Sequence, residues 1–208
     1  MKNPPPPTRR AWRFTGVRGF YLNPLWLLII INFILFIVTT VSDSAFFNLG
    51  LIPDLLSQKP WTLLTAMFVH SNFWHFFFNM VALFFFGGTL MQLVGRNRFL
   101  LAYFAGGIVG NVLFLLLNMS SAVILVGASG AVYAIAGALV VMIPNMRIAL
   151  WGILPMPLWI FVIVFLGLLS LPPFVDSDIA WQAHLGGLAA GLIFGFLFRR
   201  RIRYDFYR

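Results

Sequence analysis

The feature that most constrains this chain is a recurrence of apolar runs, most of them approaching the roughly 20 residues a helix needs to cross a hydrocarbon core. Six can be placed, at about Leu25–Val41, Trp74–Val94, Phe99–Leu117, Ala128–Ile143, Pro157–Leu171 and Ile179–Phe198. A chain that is 61% hydrophobic and only 9% charged has too little polar surface to cover a soluble globule. The expectation is an all-α, polytopic membrane protein, a bundle of six transmembrane helices forming one domain over residues 24–198. Flanking it are an N-terminal cytoplasmic tail at 1–23 and a basic cytoplasmic tail at 199–208. Pro4 to Pro7, followed by Arg9, Arg10 and Arg13, have neither the apolar core nor the cleavage pattern of a signal peptide. No repeat of 20–50 residues supports a solenoid or an inverted-repeat transporter.

Charge then orients the bundle. With the N-terminus inside, the inner segments hold Lys2, Arg9, Arg10, Arg13, Arg18, Arg96, Arg98, Arg147, Arg199, Arg200, Arg201, Arg203 and Arg208, and only Lys59 lies outside. This bias follows the retention of Lys and Arg in cytoplasmic loops, so both termini are expected inside. The net charge of +9 is thereby explained as a topology signal, and no nucleic-acid partner is expected. The expected setting is the cytoplasmic membrane of a bacterium or archaeon, with the lipid bilayer as solvent.

Two connections depart from a plain bundle. The first outer loop, Ser42 to Phe73, is long and apolar, and is expected to fold as a cap half embedded at the membrane surface. Ile148 to Leu154, bounded by Pro144, Pro155 and Pro157, is too short to span and reads as an inner interfacial turn. The fifth crossing, of about fifteen residues, is then the shortest.

The absences narrow the chemistry. There is no cysteine, which removes disulfides, thiolate ligands and cysteine nucleophiles. There is no Glu, and Asp43, Asp54, Asp176, Asp178 and Asp205 all fall outside the apolar runs. An aspartyl protease or a proton-coupled carrier with a buried acid is therefore disfavoured. Three histidines without a membrane carboxylate, and without H-E-x-x-H spacing, do not make a metal site, and neither metal nor cofactor is expected.

Polar residues within apolar runs are costly and so become functional candidates. Here they are His75, Asn79, Ser129, Tyr133 and His184. His75 and Asn79, four apart, share a helix face. Ser129 lies in Gly127-Ala128-Ser129-Gly130 at the start of the fourth helix, with Tyr133 one turn below, and His184 is about one turn into the sixth. All three helix portions open outward at similar depth. A serine hydroxyl needs a base to become a nucleophile, and His184 is the one histidine of the second half of the chain. Tyr133 can stack on that imidazole in place of an orienting acid, making a dyad. His75, Asn79 and the backbone N–H of Ser129 can supply oxyanion donors. Gly187, Gly191 and Gly195 repeat every four residues on the sixth helix, opposite Gly130, Ala134, Gly137 and Ala138 on the fourth. Such small-residue stripes permit close helix crossing in lipid. His70 is expected to be structural, bonding backbone in the outer loop.

Three ordered motifs then resemble the rhomboid family of intramembrane serine proteases over almost the whole chain. They are His70, His75 and Asn79 as H-x4-H-x3-N; Gly127 to Gly130 as G-x-S-G, with Tyr133; and Ala183-His184-Leu185-Gly186-Gly187 followed by Gly191. The resemblance implies Ser129 as nucleophile, His184 as base, His75 and Asn79 as oxyanion donors, Tyr133 as stacking partner, and transmembrane proteins as substrates. Trp61 and Thr65 resemble family positions in the outer loop. Thr62 stands where an arginine is common, and Gln92 where an acid is frequent. The rival readings are a rhomboid-like pseudoprotease, which loss of the serine or histidine would signal, and a solute channel, which would need polar residues reaching the inner face. The substrate and the oligomeric state are not written in the sequence.

Overall fold

A computed structural model describes residues 23–119, 122–150, 154–167 and 180–205. Residues 1–22 of the expected N-terminal tail, 206–208 of the expected C-terminal tail at 199–208, 151–153 of the expected turn, and the part of the fifth run after Gly167 lie outside the described residues, whereas the last helix runs on through the start of that C-terminal tail to Asp205. The fold is mostly helical. Four helices are long and apolar enough to cross a membrane: α1 (Pro24–Val41), α4 (Phe73–Val94), α5 (Arg96–Leu117) and the Trp181–Arg199 part of α8 (Trp181–Asp205). A shorter apolar helix, α6 (Ser129–Met142), starts at the G-x-S-G motif. Between α1 and α4 lie the short helices α2 (Asp43–Leu49) and α3 (Thr62–Thr65). Helix α7 (Leu158–Phe161) continues as a π segment, Val162–Gly167.

Local chemistry sets these boundaries. Asn23 accepts a hydrogen bond from the Leu25 N–H, and Pro24 occupies the first turn of α1, where a missing N–H costs nothing. Ser42 ends α1 and caps α2 by accepting from the Ala45 N–H. Between α4 and α5 the chain turns at Gly95, whose φ of 82° belongs to the left-handed region open to glycine. Within α4, Leu83–Gly87 is wound as a π segment where it packs closely on α1 and α5: a Cβ on Gly87 would lie 3.0 Å from Phe99 and 3.1 Å from Leu25.

Helix α6 is the hub. At about 1.5 Å per residue its 14 residues reach some 21 Å, short of the roughly 30 Å hydrocarbon thickness. Every residue from Gly130 to Leu139 is buried, so this helix is enclosed by protein and not by lipid. It packs most extensively against α8 and α5. The approach is so close that a Cβ on Gly187 would strike the Gly130 carbonyl, and one on Gly191 the backbone of Ala134. A Cβ on Gly137 would sit 2.8 Å from the Leu188 carbonyl. On the other flank, Gly106 abuts Ala134, and a Cβ on Gly110 would lie 2.5 Å from the Ala183 carbonyl. Backbone-to-backbone approach through small residues is how helices associate where no hydrophobic effect drives them together.

The stretch read as an interfacial turn is instead a hairpin. Strands β1 (Arg147–Leu150) and β2 (Leu154–Pro157) pair antiparallel, Arg147 opposite Pro157 and Leu150 opposite Leu154. Prolines argue against helix, but a two-stranded ladder has rungs without hydrogen bonds. The Leu158 N–H donates to the Met146 carbonyl, which fixes the alternation and puts Pro155 and Pro157 at those rungs.

Candidate active site

The loop between α1 and α4 positions the site. The Trp61 indole N–H donates to the Asn48 carbonyl at 2.9 Å, and the Thr65 hydroxyl to the Leu49 carbonyl at 2.7 Å. Leu51 and Leu125 exchange backbone hydrogen bonds of 3.0 and 2.7 Å, and the Gly127 N–H donates to the Ala66 carbonyl at 2.9 Å. Asn111 on α5 adds a bond from its amide to the Leu63 carbonyl at 2.8 Å. The loop is thus a folded cap that grips the segment leading into Ser129. Thr62, at the position of the missing arginine, donates to the Lys59 carbonyl at 2.6 Å and is buried.

Ser129 is the first residue of α6, where backbone N–H groups have no intrahelical acceptor. Its Oγ lies 2.8 Å from Nε2 of His184, which comes from one turn inside α8. The two residues are 55 apart in sequence. Tyr133 is stacked on the His184 ring, centroids 4.2 Å apart and planes 17° from parallel. The His184 Nδ1 is buried and has no hydrogen-bond partner. If Nε2 accepts the serine proton, Nδ1 carries the ring hydrogen, and ring orientation rests on Tyr133 and not on an acid.

His75 approaches this pair from α4, with Asn79 one turn further along. Gly127 has a φ of 125°, a conformation L side chains rarely adopt, and a Cβ there would fall 2.6 Å from His75 Nε2 and 3.6 Å from Ser129 Oγ. Nε2 of His75 and the serine oxygen therefore border the same small space beside Gly127. Asn79 is buried, and its amide donates one hydrogen to the His75 carbonyl at 2.8 Å, leaving the other available. Ser129, Tyr133 and His184 are thus brought into contact with His75 beside Gly127, while Asn79 bonds the His75 carbonyl and Gly130, Gly187 and Gly191 form the contact between α6 and α8.

Both ring nitrogens of His70 are buried without a close hydrogen-bond partner, and the backbone of Phe68 is the polar group that acts on the ring. Its ring packs edge-on against His75, centroids 5.1 Å apart, and against Phe76 at 5.5 Å. Burial first, and the neighbouring His75 second, hold its pKa down at about 3, with the Phe68 backbone acting weakly the other way. Sequence reasoning also passed over Ser71 and Asn72, which touch His75, and the α5 glycines at 106, 107 and 110. The spacing of those glycines was the available signal. Among the described residues no group of three or more His, Cys, Asp or Glu lies together.

The geometry amounts to a Ser–His pair at hydrogen-bond distance inside a largely apolar helical bundle, with a second histidine beside it. The Rhomboid domain family matches residues 57–201. The chain is 35% identical over 151 residues to YdcA of Bacillus subtilis, covering 73% of this chain and 71% of that protein. It is 33% identical to RHOMBOID-like protein 1 of Arabidopsis thaliana over 72% of this chain and 37% of the relative. It is likewise 33% identical to Rhomboid protease GluP of Bacillus subtilis over 66% of this chain and 26% of the relative. The chain therefore spans well under half of the latter two proteins. It belongs to the rhomboid family, whose named relatives include proteases.

Proposed function

We propose that this protein is an intramembrane serine endopeptidase that hydrolyses peptide bonds in or near transmembrane segments of other membrane proteins. The single observation that carries the reading is the 2.8 Å contact between Ser129 Oγ and His184 Nε2, made across two helices of a rhomboid-family chain. His184 removes the serine proton through Nε2 as Oγ attacks the carbonyl, and returns it to the leaving amine. The tetrahedral oxyanion is met by the Ser129 N–H, the His75 Nε2–H and the free amide hydrogen of Asn79. Water then hydrolyses the acyl-enzyme through the same histidine.

The substrate must expose a scissile bond that a helix hides within its own hydrogen bonds. Small or helix-breaking residues near the outer end of the substrate helix would favour cleavage. Six crossings with both termini inside complete the reading, α6 and the run from Pro157 to Leu171 counting as the two short ones. The retained serine and histidine support a protease over a pseudoprotease.

The test is cleavage of a single-pass membrane substrate by purified protein in liposomes. Ser129→Ala and His184→Ala should each abolish cleavage while the protein stays folded. Wild-type rates in Ser129→Ala would overturn the mechanism.

A further inference from the structure

We propose that Ser71 is a positioning residue that sets the tautomer of His75 through a hydrogen-bond relay running from Asn72 to Ser71 to the His75 ring. The proposal deepens the reading above, since it rests on His75 donating from Nε2 to the oxyanion. That donation requires a specific protonation pattern: Nε2 must carry the hydrogen, and Nδ1 must be the acceptor. A neutral imidazole can hold either pattern, so something outside the ring has to choose.

The choice can be followed atom by atom from the start of α4. Asn72 caps that helix, and the His75 N–H donates to its side-chain oxygen at 2.9 Å. Because an N–H can only donate, the amide atom facing it is Oδ1, which fixes which way round the Asn72 amide stands. Its Nδ2, a donor only, is then the atom 3.3 Å from Ser71 Oγ, and the serine accepts there. Ser71 Oγ in turn lies 3.1 Å from His75 Nδ1. A hydroxyl that receives one hydrogen bond is polarised toward giving its own, and the acceptor within reach is Nδ1. The relay thereby leaves the ring hydrogen on Nε2.

Two further contacts favour the same answer. Nε2 borders the space between Gly127 and Ser129 Oγ, where a lone pair would repel the charge that develops on attack. The ring cannot easily turn to exchange its nitrogens, because His70 packs edge-on against it at 5.1 Å. The two site histidines thus hold opposite tautomers: His184 must accept at Nε2 from Ser129, whereas His75 must donate there. The relay lies within one short stretch, Ser71-Asn72 followed three residues later by His75, so the cap that starts the helix also prepares its donor.

The experiment uses the full chain in detergent micelles, labelled with 15N-histidine. With three histidines the ring nitrogens can be assigned by comparison with His70→Asn and His184→Asn. In the wild type, His75 should show a protonated Nε2 and an unprotonated Nδ1. Ser71→Ala should raise the Nδ1–H fraction and lower kcat on a membrane substrate about two- to tenfold, the usual net worth of one neutral hydrogen bond, with KM unchanged. Ser71→Thr keeps the hydroxyl and should restore both readings. A protonated Nδ1 in the wild type would overturn the proposal, as would a change in kcat without a change in tautomer, or the reverse. A wild type that shows the relay but cleaves nothing would sink the proteolytic reading and leave the relay standing.

Discussion

His70 is buried, its ring packed against His75 and Phe76, which has a measurable consequence. The unfolded chain binds a proton at this histidine near the ordinary value of 6.5, whereas the folded chain holds it neutral down to about 3. Between those values the unfolded state carries more protons, so stability falls as pH falls, by up to about 1.4 kcal/mol per pH unit from this residue. His70→Gln should therefore flatten the acid limb of a thermal unfolding series in detergent. An unchanged acid slope would show that His70 is not buried neutral. At this scale the candidate residues could be picked out in the sequence, because a four-residue interval puts His75 and Asn79 on one face, and because polar side chains in apolar runs stand out. Ser71 and Asn72 were not legible. They sit just outside the run, where a serine and an asparagine read as ordinary capping residues, and their second contact depends on side-chain directions that spacing does not reveal.

At the scale of elements, the contact between α6 and α8 holds Ser129 against His184. Gly187 and Gly191 face the backbone of Gly130 and Ala134 with no room for a methyl group, whereas a Cβ on Gly88 would meet only Leu25 Cδ2 at an ordinary 3.6 Å. Gly187→Ala and Gly191→Ala should each cost about 1–3 kcal/mol or more by overpacking, and should suppress activity by separating Ser129 from His184. Gly88→Ala should be neutral or stabilising by up to about 1 kcal/mol, through better helix propensity alone. Thermal unfolding and cleavage rates of the three variants check this, and equal behaviour at all three positions would contradict the packing account. The stripe on α8 was readable because its four-residue period is regular. The glycines of α5 were passed over because their partners, Ala134 on α6 and the Ala183 carbonyl on α8, are known only once three helices are assembled. The hairpin was missed for a related reason: prolines exclude helix, but which strand rungs lack hydrogen bonds depends on a register fixed by the pairing of Met146 with Leu158.

For the whole molecule, the bilayer leaves a chain few options, and this made the helical fold readable from hydropathy. Backbone groups must be satisfied within each segment, so long apolar runs become helices with little dependence on their neighbours. The runs at α1, α4, α5 and α8 accordingly matched within a few residues. Less legible was the cap, whose hold on the segment before Ser129 depends on Trp61, Thr65 and the Leu51–Leu125 pair meeting residues far away in sequence. The molecule that results brings Ser129 and His184 together within a largely apolar bundle, under the cap, and the proposed function makes them nucleophile and base. The most direct measurement of that claim is mass spectrometry of the purified wild-type protein after treatment with a small fluorophosphonate, in a preparation that cleaves a membrane substrate. A single adduct on Ser129, absent from His184→Ala and accompanied by loss of cleavage, is the predicted result; an adduct on another residue, or full cleavage after Ser129 is modified, would contradict it.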